Sequence, residues 1–196
     1  VSSITAFFFA MMTNPTVQHR AQAEVDAFVV KKQRLPMLHD QAAFPYLACV
    51  AKEVLRWAPP APLGLFHCTA RPDTYKDFYI PAKTTVVANI CAMMHDESVH
   101  PNPSVFDPER FARPNPQADP RDWVFGFGRH ICAGYAIMHW FLSLPTVTIS
   151  KAVAKDRKII EPQVEFTTGI TSHVKPFRYQ ITLRCPQALA LIRQGL

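Results

Sequence analysis

Residues 125–134 constrain the fold of this chain more than any other segment, because they place one cysteine on a glycine-rich turn. Three of the six glycines in the 196 residues lie here. Glycine accepts a positive φ and lets the backbone approach another group closely, so such a turn can direct several N–H groups at one sulfur atom. An apolar, helix-like run follows directly. A thiolate that binds iron requires N–H groups directed at its sulfur in this way, and Cys132 is the candidate ligand.

A cysteine thiolate on haem iron donates electron density that favours O–O cleavage, provided that the sulfur is hydrogen-bonded and shielded. Phe125 and Phe127 are aromatic residues that can shield it. A free cysteine is more often a small buried hydrophobe, but the fixed spacing Phe-x-x-Gly-x-basic-x-Cys-x-Gly outweighs that expectation. The spacing resembles the haem-ligand loop of the cytochrome P-450 monooxygenases. The resemblance implies that Cys132 is the axial iron ligand and that Phe125, Gly128 and Gly134 belong to the cofactor site.

Two upstream patterns strengthen the resemblance. Glu53 and Arg56 lie three residues apart on one face of a helix that we predict to begin near Pro45. By default such a pair is a solvated surface pair worth well under about 1 kcal/mol. Residues 106–111, in a proline-marked segment, supply Arg110. Glu-x-x-Arg with a later Pro-Glu-Arg-Phe is similar to the family's buried structural triad, which supports the cysteine loop and is carried here by Glu53, Arg56 and Arg110.

Two segments resemble the substrate-facing parts of the family. Residues 58–67 resemble the strand that passes the haem edge, and residues 165–171 resemble the last substrate-facing turn. Each position in them also suits an ordinary sheet. Residues 78–81 and 84–89 predict a hairpin-like pair of strands, and residues 179–183 predict a further strand. The implied substrate-facing residues are Ala61, Pro62, Leu63, Gly64, Leu65, Thr168, Gly169 and Ile170.

Two histidines occupy positions where the family binds the haem propionates. His130 lies two residues before the cysteine, where the family usually has arginine, and His67 follows the substrate-facing strand. The resemblance implies that both side chains hold propionates. Histidine is shorter than arginine and only partly charged near neutral pH, so we expect haem anchoring that is weaker and sensitive to pH.

Helices are predicted on both sides of these motifs. Residues 1–12 resemble the second half of the long helix that crosses the distal face of the haem. Asn14 is predicted to cap the next helix, with Pro15 in its first turn. Residues 135–144 keep a helix-like apolar density, and Pro145 predicts that this helix is short or kinked.

The family's acid and alcohol, which deliver protons to bound oxygen, lie just upstream of the point where residues 1–12 match. They are not in this sequence, so we predict no catalytic residue in it. We interpret residues 1–196 as the C-terminal portion of a single cytochrome P-450 domain, without the distal half and the start of the long helix. We expect this portion to be inactive alone.

Charge and composition exclude several classes. The net charge is +6, but the basic residues are dispersed and no base- or phosphate-binding motif accompanies them, so we predict no nucleic-acid partner. Arg113, Arg121 and Arg129 are candidates for a basic face that attracts an acidic electron donor. His130 and Cys132 form half of a zinc site without a second ligand pair, which ranks below haem. Five scattered cysteines without a CxxC pair favour a reducing compartment.

The sequence predicts a mainly α fold with small β-sheets, resembling the C-terminal part of fungal or other eukaryotic microsomal cytochromes P-450. The implied reaction inserts one oxygen atom from O₂ into a small organic substrate, with haem b as cofactor and an NADPH-dependent reductase as electron donor. By resemblance, the full-length enzyme lies on the cytosolic face of the endoplasmic reticulum membrane, although this chain has no predicted membrane segment. Two alternatives stay open: a non-enzymatic haem-thiolate binding or sensing module, and an inactive remnant.

Overall fold

A computed structural model describes residues 1–128, 131–132, 134 and 147–184 of the chain. Three longer helices form its framework: α1 (Ser2–Thr13), α2 (Pro15–Lys32) and α3 (Pro45–Trp57). Two shorter helices follow, α4 (Ile90–Met94) and α5 (Arg121–Val124), and 3-10 turns span Leu38–Ala43 and Pro108–Phe111. The predicted mainly helical fold with small sheets is confirmed.

Helix α1 is mostly apolar, and most of its residues are buried in the fold. Phe9, Ala10, Met11 and Met12 are each at most 1% exposed. The helix packs against α2, α3 and the strand at Val147–Lys151, and these elements enclose the main core.

The junction between α1 and α2 differs in detail from the sequence expectation. Asn14 does stand at the N-cap position with Pro15 behind it, but its side chain accepts no hydrogen bond from α2. Instead Asn14 Nδ2 donates backward to the Ala10 carbonyl at 2.9 Å and to Thr13 Oγ1 at 3.1 Å. The amide therefore finishes the C-terminus of α1 rather than starting α2, since the last carbonyls of a helix also need donors.

Helix α3 begins after the apolar Phe44, which cannot cap it. A carboxylate from α2 does so instead: Glu24 accepts from the backbone N–H groups of Tyr46 and Leu47, each at 2.9 Å. An acceptor with negative charge at a helix N-terminus satisfies free N–H groups and opposes the positive end of the helix dipole. This contact fixes α3 against α2, and the buried face of α3 includes Val50 and Val54.

Three two-stranded antiparallel sheets complete the described structure. β1 (His67–Cys68) pairs with β4 (Thr85–Val86), and β2 (Asp73–Tyr75) pairs with β3 (Phe78–Ile80). β5 (Val147–Lys151) pairs with β6 (Tyr179–Leu183), so the predicted C-terminal strand is present.

The predicted pairing of residues 78–81 with residues 84–89 is wrong. β3 turns back onto β2, with Lys76 at φ 53° in the connection. Pro81 then has no N–H to extend the ladder, and the chain crosses to the other sheet. Thr69 holds the connection between the two sheets in place. Its hydroxyl donates to the Pro81 carbonyl at 2.8 Å and accepts from the Thr84 N–H at 2.9 Å.

The free edge of β5 is completed by two glutamines of α2. Gln18 accepts from the Ile149 N–H at 2.6 Å and donates to the Ile149 carbonyl at 2.8 Å. Gln22 donates to the Val147 carbonyl at 3.0 Å. Gln18 and Gln22 are four residues apart on the helix, and Val147 and Ile149 are two residues apart on the strand. Both separations span about 6 Å, so each glutamine lies opposite its strand residue. The side-chain amides thus replace a third strand, and α2 is tied to a sheet more than a hundred residues away.

Candidate functional site

A buried ion network joins the three residues predicted to form a triad. Arg56 donates to Glu53 twice, from Nε to Oε2 and from Nη2 to Oε1, both at 2.8 Å. Arg110 Nε lies 3.1 Å from Glu53 Oε2, an ion-pair contact without hydrogen-bond alignment. The side chains of Glu53 and Arg56 are 0% exposed and that of Arg110 is 2% exposed. Glu53 and Arg56 are therefore not a solvated surface pair, and loss of the Glu53 charge would leave two buried arginines without a counter-charge.

The same network holds the irregular segment between α4 and the second 3-10 turn. Arg56 donates to the carbonyls of Met94 at 3.0 Å and Pro103 at 2.8 Å. Glu53 Oε1 accepts from the Asp107 N–H at 2.9 Å. One helix thus fixes a loop that has little regular structure of its own, because a guanidinium carries five donors in a rigid fork.

Trp57, at the end of α3, connects this layer to the rest of the core. Its ring stacks on Phe9 of α1 at 6.2 Å between centroids and meets the edges of Phe106 and Phe166 at 5.7 and 5.5 Å. Its indole N–H donates to the Ser104 carbonyl at 3.1 Å. Helix α1, the loop before Arg110 and the segment around Phe166 therefore all pack against the Trp57 side chain.

The predicted ligand Cys132 closes the glycine-rich turn. Its N–H donates to the Phe125 carbonyl at 2.9 Å, and the turn within this closure has Gly126 at φ 95° and Gly128 at φ 70°. These are conformations that side chains with a Cβ rarely adopt. A Cβ added at Gly134 would lie 3.4 Å from Cys132 Sγ, so the sulfur is next to bare backbone. The Cys132 residue is exposed, and its thiol is free.

The two aromatic residues predicted to shield the sulfur lie in different surroundings. Phe125 is partly buried and packs against the main core. Phe127 is 40% exposed and lines a largely apolar cleft of about 480 Å³. The other lining residues come from strands β1 and β4 and their neighbours: His67, Cys68, Thr69, Val86 and Ala88. The structure therefore brings the predicted propionate ligand His67 and the cysteine turn to one cleft.

The two predicted substrate-facing segments also lie side by side. The Ser172 N–H, just after residues 168–170, donates to the Pro60 carbonyl at 2.9 Å, just before residues 61–65. Leu63, Leu65 and Ile170 are 40%, 75% and 68% exposed. Ala61, Pro62 and Gly64 are intermediate in exposure, whereas Thr168 and Gly169 are exposed. Apolar side chains left uncovered in adjacent segments are suited to contact with a nonpolar molecule.

These residues fit a haem-thiolate site. An exposed thiol next to a glycine backbone offers access to iron, and the adjacent cleft presents apolar walls with one imidazole. Among the described residues, no group of three or more His, Cys, Asp or Glu side chains is arranged to hold a metal ion by itself. His130 and Arg129 lie outside the described residues, as do the predicted helix at 135–144 and Pro145.

Two of the three arginines predicted to attract an electron donor are engaged within the chain. Arg113 lies 3.3 Å from Asp107, and Arg121 makes a forked contact with Asp119, which also binds Lys52 at 2.8 Å. Burial acts to raise the pKa of Asp119, but hydrogen bonds from Arg121 and Lys52 outweigh it and hold that pKa well below its usual range. The charges of Arg113 and Arg121 are thus partly compensated by carboxylates of the same chain.

The sequence reasoning missed two members of the buried network. Gln117 Oε1 accepts from Arg110 Nη1 at 2.9 Å, and the fully buried His100 has Nδ1 2.9 Å from the same oxygen. Neither residue belongs to a motif, and a lone histidine or glutamine in a loop predicts a solvated side chain. The folding of residues 94–117 buries His100 and brings the half-buried Gln117 beside Arg110.

No helix in the described ranges is both long and apolar enough to cross a bilayer.

Comparisons with known proteins agree with this geometry. The family model described as Cytochrome P450 matches residues 1–177. Cytochrome P450 monooxygenase 208 of Postia placenta is 43% identical over 98% of this chain and 39% of its own length. Cytochrome P450 monooxygenase claR of Ampulloclitocybe clavipes is 40% identical over 98% of this chain and 37% of its own length. The chain therefore spans less than half the length of these curated relatives.

A solved structure shows the same fold. A zebra fish cytochrome P450, in a structure with abiraterone, matches with a TM-score of 0.78 and 24% identity over 93% of this chain and 43% of that chain. The helical framework, the small sheets, the extent of the family match and the fungal relatives lead to one conclusion: this chain belongs to the cytochrome P450 family.

Proposed function

We propose that this chain supplies the haem-thiolate side of a monooxygenase that inserts one oxygen atom from O₂ into a small organic substrate. The observation that carries the proposal is the exposed Cys132 thiol on a glycine turn whose Phe127 lines an apolar cleft, within a chain of this family. The relatives named as monooxygenases support the reaction class.

Cys132 is proposed as the residue whose thiolate would bind the iron of haem b. When bound, a haem with a thiolate ligand supplies the activation of O₂. The chain's own task is to orient the sulfur. The turn closed by the Cys132 N–H and the Phe125 carbonyl holds the backbone around the sulfur, and Gly134 leaves the space beside it free. Gly128 supplies the positive φ that the turn needs.

His67 is proposed to donate a hydrogen bond to a haem propionate, and His130 to do the same. Support for His67 is its exposed position in the cleft that Phe127 also lines.

Glu53, Arg56 and Arg110 are proposed to support the cysteine turn without touching substrate. Their network fixes residues 94–107 against α3, as the hydrogen bonds to Met94, Pro103 and Asp107 indicate. A rigid supporting layer holds a ligand within the small tolerance that a metal site allows.

Residues 61–65 and 168–170 are proposed to face the substrate. Their adjacency and their exposed leucine and isoleucine side chains favour a nonpolar substrate. An NADPH-dependent reductase is proposed as the electron donor, and the cytosolic face of the endoplasmic reticulum membrane as the location of the full-length enzyme. Both rest on resemblance to the family.

The decisive test is haem titration of three forms of the full-length polypeptide that contains this chain: the wild type, Cys132→Ser and Cys91→Ser. Cys91 is also an exposed free thiol, so its substitution is a matched control. After reduction and addition of carbon monoxide, the wild type and Cys91→Ser should show the absorption band typical of thiolate coordination, and Cys132→Ser should not. A band that persists in Cys132→Ser, or that is missing in the wild type, would overturn the proposed ligand.

The reaction class has a separate test in the full-length polypeptide that contains this chain. With an NADPH-dependent reductase and isotopically labelled O₂, one labelled oxygen atom should appear in the product. Carbon monoxide binding with no labelled product over a panel of nonpolar substrates would favour a haem-binding or sensing module instead.

A further inference from the structure

His100 lies at the outer end of the buried ion network and is 0% exposed. Its Nδ1 lies 2.9 Å from Gln117 Oε1, and the same oxygen accepts from Arg110 Nη1 at 2.9 Å. Gln117 is also linked to Arg110 through its backbone, since its N–H donates to the Arg110 carbonyl at 3.1 Å. The network therefore extends from Glu53 through Arg110 and Gln117 to an imidazole.

The contacts determine which atoms carry protons. A guanidinium only donates, so the Gln117 atom facing Arg110 is the amide oxygen, and an amide oxygen only accepts. His100 must then carry its proton on Nδ1 to donate to that oxygen. In a neutral imidazole the other nitrogen is bare. His100 Nε2 is buried and has no hydrogen-bond partner within the described part of the chain, so a proton added there would find no acceptor.

The charges around His100 also oppose its protonation. Arg56 of α3 and Arg110 of the second 3-10 turn bring two positive charges, and Glu53 of α3 brings one negative charge. Asp96, after α4, is exposed and is held by the Ser98 N–H at 2.9 Å and the Ser98 hydroxyl at 2.6 Å. Burial lowers the pKa of His100 first and the two arginines lower it further, while the Gln117 contact and Glu53 oppose this shift.

We propose that His100 and Gln117 are positioning residues of the Glu53–Arg56–Arg110 network. Neutral His100 holds the Gln117 amide so that its oxygen fixes Arg110 beside Glu53. Protonation of His100 places a third cation in a pocket that has one carboxylate. The repulsion weakens the contact between Gln117 and Arg110, which is then held by fewer acceptors, the carbonyls of Pro101 at 3.1 Å and Val105 at 3.2 Å among them. The consequence for haem rests on the proposed function: the layer that supports Cys132 loosens as the pH falls.

The direction of the pH effect follows from proton linkage. Since the pKa of folded His100 lies below its ordinary 6.5, the unfolded chain takes up the proton first as the pH falls. The stabilisation is complete above about pH 6.5 and is lost progressively below it. If folded His100 stays neutral, the folding equilibrium constant falls up to about tenfold between pH 7.5 and pH 5.5.

The experiment compares urea unfolding of the 196-residue chain at pH 7.5 and pH 5.5, monitored by circular dichroism. His100→Asn keeps a donor near the Nδ1 position but does not titrate. Between pH 7.5 and pH 5.5 the folding equilibrium constant of the wild type should therefore fall by up to about tenfold more than that of His100→Asn. His19→Asn, at an exposed position of α2, should behave like the wild type. Gln117→Glu gives protonated His100 a carboxylate partner, so it should also reduce the acid loss.

The proposal is overturned if His100→Asn loses as much stability on acidification as the wild type, or if Gln117→Glu leaves that loss unchanged. Haem retention, measured in parallel by the carbon monoxide band, should fall at pH 5.5 in the wild type and less in His100→Asn. The two outcomes can be told apart. If the variants change the acid-induced loss of stability as expected but the full-length polypeptide never shows the carbon monoxide band, the proposed function is refuted and the role of His100 stands.

Discussion

Replacing Glu53 by Gln tests the buried ion network with the smallest possible change of shape. In the native chain the carboxylate receives two hydrogen bonds from Arg56 and one from the Asp107 N–H, and it lies 3.1 Å from Arg110 Nε. Glutamine keeps one acceptor and puts an NH₂ group in the place of the other. That NH₂ group would face guanidinium N–H donors, and two buried cations would have no counter-charge.

The size of the effect follows from burial. Removing one partner of a buried charge pair typically costs about 3–5 kcal/mol, because the remaining charge stays out of water. That cost lowers the folding equilibrium constant by about two to four orders of magnitude, and it is a large fraction of the total stability of a domain. We also expect Glu53→Gln to retain less haem, since the network fixes the layer proposed to support Cys132.

Glu109→Gln is the matched control. Glu109 lies in the same proline-marked segment and pairs with Arg20, but the two side chains are 42% and 57% exposed. Loss of such a pair costs about 0–1 kcal/mol. Urea unfolding and the ratio of haem to protein should be measured for both variants. If Glu53→Gln unfolds at the same urea concentration as Glu109→Gln and holds as much haem, the supporting role of the network is refuted.

Two further predictions concern how α2 organises the fold. In Gln18→Leu the N–H and the carbonyl of Ile149, a residue that is 4% exposed, lose their hydrogen-bond partner. We therefore expect the free energy of unfolding measured in urea to fall by about 2–4 kcal/mol. The exposed Gln163→Leu should change stability by less than about 0.5 kcal/mol, and equal effects would refute the strand-completing role of Gln18. Glu24→Gln removes the charge that caps α3 and should cost about 1–2 kcal/mol at neutral pH. Protection of the first amides of α3 in hydrogen exchange should decrease with it, and unchanged protection would show that this cap is unnecessary.

Several features could be predicted from sequence because each depends on a short stretch of chain. The apolar spacing of Val50 and Val54 defines the buried face of α3, and Pro45 marks its start. The glycines around Cys132 predict a turn, and that turn has the positive φ values that only glycine adopts readily. The cysteine loop, together with the Glu-x-x-Arg and Pro-Glu-Arg-Phe motifs upstream of it, was enough to indicate the family. Local spacing carries such information because helix periodicity and turn conformation are properties of neighbouring residues.

Other features depend on partners far apart in the chain, and no local pattern contains them. β3 pairs with β2 and not with β4, because Pro81 and the hydroxyl of Thr69 redirect the chain. Glu24 caps a helix that begins twenty-one residues later, and Gln18 completes a strand 131 residues away. His100 is buried beside Phe111, and its imidazole meets Gln117, which lies seventeen residues further along the chain. A polar side chain looks the same in a sequence whether water or a buried partner satisfies it, and only the tertiary structure decides which of the two it meets.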